Sequence, residues 1–183
     1  SFGSSDSQSY ALLTVGTTHF DALISTFIKQ LHEFLIYCHK NEIFTIFFQT
    51  GKCNLDLTQC DTITAEYNTQ FSTNFSIQWC NYVPNFNIKL QNAQLVISHA
   101  GAGSILETVR SPCNIDEKTR IKLFVVVNSS LMDNHQLELA DELSKQNYLY
   151  YTSINDDKNN NWVKILTQSD WSKIKPYPKP NTL

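Results

Sequence analysis

The chain has no surplus of basic residues. Its 14 Lys and Arg stand against 17 Asp and Glu in 183 residues, for a formal net charge of −3. That counts against nucleic acid as a partner, since such binders usually carry a basic face. No apolar run approaches the ~18 residues of a membrane span, and no secretory signal is present. There is no C-x-x-C pair either. Cys38, Cys53, Cys60, Cys80 and Cys113 are scattered and odd in number, which argues against a zinc site or a disulfide framework and for free thiols in a reducing compartment. No bound metal and no cofactor are expected.

What is present is an ordinary share of apolar residues, 42%, enough for one domain that buries roughly 70% of its unfolded surface. Ser1 to Ser9 is Ser-rich without apolar period and reads as a disordered leader. Tyr10 to Val15 is a continuous apolar run, the pattern of a buried parallel strand. It breaks at Gly16-Thr17-Thr18-His19-Phe20. Asp21 then suits the N-cap of a helix whose apolar residues Leu23, Phe27, Leu31, Phe34, Leu35 and Cys38 recur at helical spacing, with Asn41 at its end. Ile43 to Phe48 is a second strand, closing at Gly51.

Residues Lys52 to Thr73 are polar and rich in Thr, Asn and Gln, and read as a loop or a short strand. Phe75 to Cys80 predicts a third strand, Pro84 to Gln91 a short helix, and Leu95 to Ser98 a buried strand. A helix follows from Gly103 to about Arg110, then a solvated insertion, Ser111 to Arg120. Ile121 to Val127 is a strong strand pattern. After it come a helix carrying Leu137, Ala140 and Leu143, a strand near Leu149 to Tyr151, and a helical turn at Trp162 to Leu166. The expected class is α/β: a Rossmann-like, mostly parallel sheet flanked by helices over residues 10–168, followed by a tail, 169–183. In such folds the ligand crevice lies outside the strand carboxyl ends.

Three loops would meet there. In the first, Gly16, Thr17 and Thr18 could offer N–H and hydroxyl donors to phosphates, or could simply make a turn. In the second, His99-x-Gly101-x-Gly103-Ser104 leads from a strand into a helix whose free N–H groups and dipole suit an anion. His99 and Ser104 could donate to phosphate oxygens, and Glu107, one turn on, could accept from ribose hydroxyls. The alternative is a tight β-α turn with Glu107 in solvent. The third, Asp133-Asn134-His135-Gln136, mixes donors and acceptors as sugar hydroxyls require, or else is an N-capping cluster. His19 could serve as a base or be a plain surface histidine, and the chain shows no convincing base of its own. A dinucleotide fingerprint is lacking: Leu106 stands where a third glycine belongs, and no acidic residue follows the next strand, which ends Val127-Asn128. That disfavours a nicotinamide oxidoreductase and favours a nucleoside diphosphate in a single half-site.

The row His99, Gly101, Ser104, Glu107, then Asp133 and Gln136, resembles the UDP-sugar signature of GT-B glycosyltransferases, in particular the nucleotide-sugar half of family 28. More narrowly, Val15 to Ile24, Val96 to Ser104 and Leu131 to Gln136 are similar to the soluble catalytic subunits of two-part enzymes that add the second N-acetylglucosamine to diphosphodolichol-linked N-acetylglucosamine. The likeness runs from about Tyr10 to Tyr177. It implies an inverting transferase subunit with UDP-N-acetylglucosamine as donor, its pyrophosphate on His99, Gly101 and Ser104, its ribose on Glu107 and its sugar on Asp133 and Gln136. It implies a membrane-anchored, acceptor-binding partner, and through that partner a place on the cytosolic face of the endoplasmic reticulum, with no span in this chain. In the family the C-terminal segment docks on the partner, so Trp171, Ile174 and Tyr177 are candidate anchors; self-packing on the domain is the other reading. Gly103 departs from the wider family, where Asn is common, and the 111–120 insertion lengthens a connection that is usually short. A non-catalytic nucleotide-binding scaffold on the same fold is the rival function.

Overall fold

The computed structural model describes residues 10–86, 89, 93–111, 120–130, 135–155 and 160–178. The expected leader lies outside them, as do most of the insertion after Ser111 and half of the helix expected at Pro84 to Gln91.

Six parallel strands form one sheet: β1 (Tyr10–Thr14), β2 (Thr45–Gln49), β3 (Ser76–Cys80), β4 (Ala93–His99), β5 (Lys122–Asn128) and β6 (Tyr150–Ile154), in the order β3-β2-β1-β4-β5-β6. Parallel strands need crossover connections, and the helices supply them. They are α1 (Asp21–Lys29), α2 (Leu31–Lys40), α3 (Thr58–Phe71), α4 (Ala102–Val109), α5 (His135–Lys145) and α6 (Trp162–Gln168).

Alternation along the central strands feeds two cores. Ala11, Leu13, Phe124 and Val126 face one side with Phe27, Phe34, Phe48 and Trp162. Leu12, Leu123, Val125 and Val127 face the other with Ile105, Ala140 and Leu149. A strand buried on both faces is apolar at nearly every position, which is why β1, β4 and β5 read as near-continuous runs. Trp162 is fully buried near-parallel to Phe27, and its indole N–H donates to the Thr26 hydroxyl at 2.8 Å.

Three expectations need correction. The single helix expected from Asp21 to Asn41 is two helices, separated at Gln30. The Gln30 side chain is spent on α6: Nε2 donates to the Asn160 carbonyl at 2.6 Å, and Val163 N–H donates to Oε1 at 3.0 Å. Asp21 is the first residue of α1 rather than its N-cap, a place held by Phe20. The polar stretch Lys52 to Thr73 contains the 14-residue α3. Its buried residues, Cys60, Thr64 and Tyr67, keep helical spacing, but two of the three are weakly apolar or polar.

Candidate functional site

The strand order reverses between β1 and β4, and their carboxyl ends lie side by side, Thr14 opposite Ser98. Here the interior turns polar. Thr14, Gln49, Thr50, Ser98 and His99 are all buried, whereas the other buried residues of β1, β2 and β4 are apolar. Buried polar residues gathered at one end of a sheet are the informative departure from a plain core.

His99 organises the place. Its ring fills the space that two glycines leave. A Cβ at Gly16 would stand 2.6 Å from His99 Cε1, and one at Gly101 would stand 2.4 Å from Nε2. Gly16 also has φ +63°, a conformation in which a side chain is strained. Burial holds the His99 pKa below its ordinary value, against a smaller opposing pull from the Thr14 backbone. Nδ1 is buried without a hydrogen-bond partner among the described residues.

Immediately after His99 comes the start of α4, with Gly101 as N-cap. No side chain caps it, and its first turn holds no acidic residue. By contrast, Asn161 caps α6 by accepting from Lys164 N–H at 3.0 Å. The α4 terminus therefore keeps its positive dipole end available for an anion.

A cleft of ≈ 180 Å³ opens here, lined by Thr14, Gly16, Thr17, Gln49, Tyr82, Val83, Phe86 and Ser104. One wall is glycine backbone and hydroxyls; the other, Tyr82, Val83 and Phe86, is largely apolar. Such a lining suits a ligand with an anionic part and a flat part. No pKa shift is needed for that chemistry, since the donors are backbone and hydroxyl groups.

Of the residues singled out in the sequence, Gly16, Thr17 and Ser104 line the cleft, with the His99 ring packed against both Gly16 and Gly101. The Thr18 hydroxyl is turned back onto its own loop, donating to the Val15 carbonyl at 2.8 Å. His19 is exposed and is not among the lining residues. Glu107 is exposed on α4, one turn beyond Ser104, and Gly103 has no heavy atom within 4 Å of a built Cβ. Asp133 and Asn134 lie outside the described residues. His135 and Gln136 open α5, with His135 3.5 Å from Glu138.

For Ile174, read from the sequence as either a partner anchor or a self-packed residue, the burial accords with self-packing: it is 4% exposed in its own domain. Trp171 packs edge-on to Tyr150, and Tyr177 edge-on to Tyr148. The Lys175 N–H bonds the Asn147 carbonyl at 2.9 Å and ties this segment down.

Gln49, Tyr82, Val83 and Phe86 were not foreseen. A signal existed for each. Gln49 is a lone amide closing an apolar strand, and the other three follow the carboxyl end of β3, where an α/β crevice draws its loops.

A parallel six-stranded sheet in this order, with a glycine-bounded helix start at its switch point, is the architecture of one half of a GT-B glycosyltransferase. The family model "Glycosyltransferase family 28 C-terminal domain" matches residues 10–164, and the chain belongs to that family. UDP-N-acetylglucosamine transferase subunit ALG13 of Mus musculus is 37% identical over 145 residues, covering 77% of this chain and 10% of the mouse protein. The Homo sapiens protein of that name is 39% identical over 144 residues, covering 76% and 10%. The chain thus spans only 10% of the length of these two relatives. The protein of that name from Cryptococcus neoformans is 31% identical over 163 residues, covering 79% of this chain and 78% of its own length. Among solved structures, the NMR solution structure of ALG13 superposes with a TM-score of 0.61 at 23% identity, covering 94% of this chain and 90% of that one. The crystal structure of Acinetobacter baumannii MurG gives 0.55 at 17%, covering 93% and 44%. These two likenesses show the fold.

Proposed function

We propose that this chain is the donor-binding part of a UDP-N-acetylglucosamine transferase, one that adds the second N-acetylglucosamine to diphosphodolichol-linked N-acetylglucosamine. The observation that carries the reading is the uncapped start of α4 beside the buried His99, opening on a cleft with one hydroxyl-and-glycine wall and one apolar wall. The diphosphate lies across Gly16, Thr17, Gly101, Gly103 and Ser104. The uracil lies against Tyr82, Val83 and Phe86. Glu107 takes the ribose hydroxyls, and Asp133, Asn134, His135 and Gln136 take the sugar.

In the transfer, the acceptor hydroxyl oxygen bonds the anomeric carbon from the face opposite the diphosphate. The bond from that carbon to the β-phosphate oxygen breaks, UDP leaves with the electron pair, and the hydroxyl proton goes to a base. Helix N–H groups and hydroxyls aimed at the departing diphosphate stabilise the charge that develops there, commonly the largest catalytic term. The base is assigned to a partner: His19 stands outside the cleft lining, and His99 is sealed behind glycines. That membrane-anchored partner also supplies the acceptor site and holds the chain at the cytosolic face of the endoplasmic reticulum. It docks on the tail through the faces of Trp171 and Tyr177 left open. Among the described residues no helix is long and apolar enough to cross a membrane. The relatives' designation as subunits supports the same division.

The test is a transfer assay with UDP-N-acetylglucosamine and the lipid acceptor, run on the chain with and without the membrane partner. Transfer is expected only with the partner. A non-catalytic scaffold would instead leave cellular glycan assembly intact when Glu107→Ala and Gln136→Ala are introduced together.

A further inference from the structure

Gln49 closes β2 and is 3% exposed. Its amide uses its full hydrogen-bonding capacity. Oε1 accepts from the Thr14 hydroxyl at 2.5 Å and from the Gly16 N–H at 2.9 Å, while Nε2 donates to the Gly16 carbonyl at 2.6 Å and the Asn81 carbonyl at 2.8 Å. The partners fix the orientation. An amide turned end for end would set a donor against the Gly16 N–H and an acceptor against two carbonyls.

The consequence lies in what these partners head. Gly16 and Thr17 belong to the hydroxyl-and-glycine wall of the cleft; Asn81 leads directly into Tyr82 and Val83 of the apolar wall. β1 and β3 are not neighbours in the sheet, since β2 lies between them. Backbone bonds tie each loop separately to β2 or the turn that follows it, Val15 N–H to the Gln49 carbonyl at 3.2 Å and Gly51 N–H to the Asn81 carbonyl at 3.0 Å. The Gln49 side chain holds both at once.

We infer that Gln49 is a positioning residue that sets the distance between the two walls, so that one ligand reaches both without first ordering a loop. This rests on the reading that the cleft takes a uridine diphosphate. Preorganisation of this kind raises the affinity of a ligand that spans the walls more than that of one touching a single wall. UDP spans them; uridine meets chiefly the apolar wall.

The experiment compares UDP and uridine titrations on ¹⁵N-labelled chain, wild type against Gln49→Glu and Gln49→Met. Both variants remove the two donors. UDP affinity should fall about tenfold or more while uridine affinity changes by less than about threefold, the signature of lost spacing rather than lost folding. In Gln49→Glu, relative to wild type, UDP affinity should partly return as the pH falls through the carboxyl range and an O–H donor reappears. The Trp162 indole N–H resonance, fixed by Thr26, reports that the fold is intact. Should both variants unfold, Gln49→Asn, which keeps the amide but shortens its reach by one methylene, carries the same comparison. Equal losses for UDP and uridine, or UDP affinity within about twofold of wild type, overturn the inference. If the wild-type chain binds neither ligand, the proposed function fails instead. The amide shifts of Gly16 and Tyr82 in the ligand-free variants then decide on Gln49 alone: displaced, they uphold the clamp; unmoved, they overturn it.

Discussion

The imidazole of His99 occupies the volume that a side chain at Gly16 would need, with Cε1 2.6 Å from where a Cβ would be. His99 ends β4 and Gly16 lies in the loop after β1, its neighbour in the sheet though far away in sequence, so the two can close on each other only if position 16 is bare. Its φ of +63° adds a second reason for glycine.

Gly16→Ala should therefore destabilise the chain by ~1–3 kcal/mol and abolish detectable UDP binding, through backbone strain and a displaced imidazole. Gly103→Ala sets the contrast: nothing lies within 4 Å of its Cβ, and the substitution should stabilise α4 by ~0.4–1 kcal/mol. Urea unfolding of both variants beside wild type measures the two signs. A Gly16→Ala protein as stable as wild type would contradict the packing described.

The depressed His99 pKa makes stability depend on pH in a defined direction. Above ~6.5, the ordinary value for histidine, both folded and unfolded chains hold neutral imidazole and this residue contributes no slope. As the pH falls below that value the unfolded chain takes up a proton first, so folding stability drops until the folded-state pKa is passed. His99→Gln should flatten that part of the profile. Denaturation midpoints between pH 5 and pH 8 test it through the difference in slope between the two proteins, whatever the variant's absolute stability.

Ile174 distinguishes a self-packed tail from a free docking segment. Because it is buried on its own domain, Ile174→Ala should cost the isolated chain ~2–4 kcal/mol, the usual range for such a truncation in a core. Were the side chain held in reserve for a partner, thermal unfolding of the single chain would not change.

How far the sequence foretold this structure follows from where each residue is buried. β1, β4 and β5 lie between two helical layers, so Leu12, Val96 and Val125 had to be apolar whichever way they pointed, and the runs were plain. The His99-to-Ser104 turn was equally legible, because a strand pattern meets a helix pattern across two glycines. α3 was not, since it covers the edge of the sheet and buries Cys60, Thr64 and Tyr67 rather than leucines. The break at Gln30 was hidden for another reason. It is coupled to a contact with Val163, far along the chain, and no local pattern announces a side chain committed to a distant helix end. The apolar wall of the cleft escaped in the same way: Tyr82 and Phe86 become neighbours of Ser104 only once β3 and β4 are placed in the sheet.

Ser104→Asp separates the demands of folding from those of binding, because they oppose each other at this position. Ser104 lies in the first turn of α4, three residues after its Gly101 cap, in a helix with no acidic residue there. A carboxylate at such a place interacts favourably with the helix dipole and the free N–H groups, and should stabilise the chain by ~0.3–1 kcal/mol. The same carboxylate projects into the cleft that Ser104 lines, where it takes the place of a phosphate and repels one. UDP affinity should fall by well over tenfold, about 1.4 kcal/mol or more, while the melting temperature rises. Ser104→Ala, which removes the hydroxyl without adding charge, should weaken UDP binding only a fewfold. Calorimetric titration and thermal unfolding on the two variants give both readings from one preparation. A cleft made for a neutral ligand would instead gain stability in Ser104→Asp without the loss of UDP, and a terminus already closed by another group would gain neither.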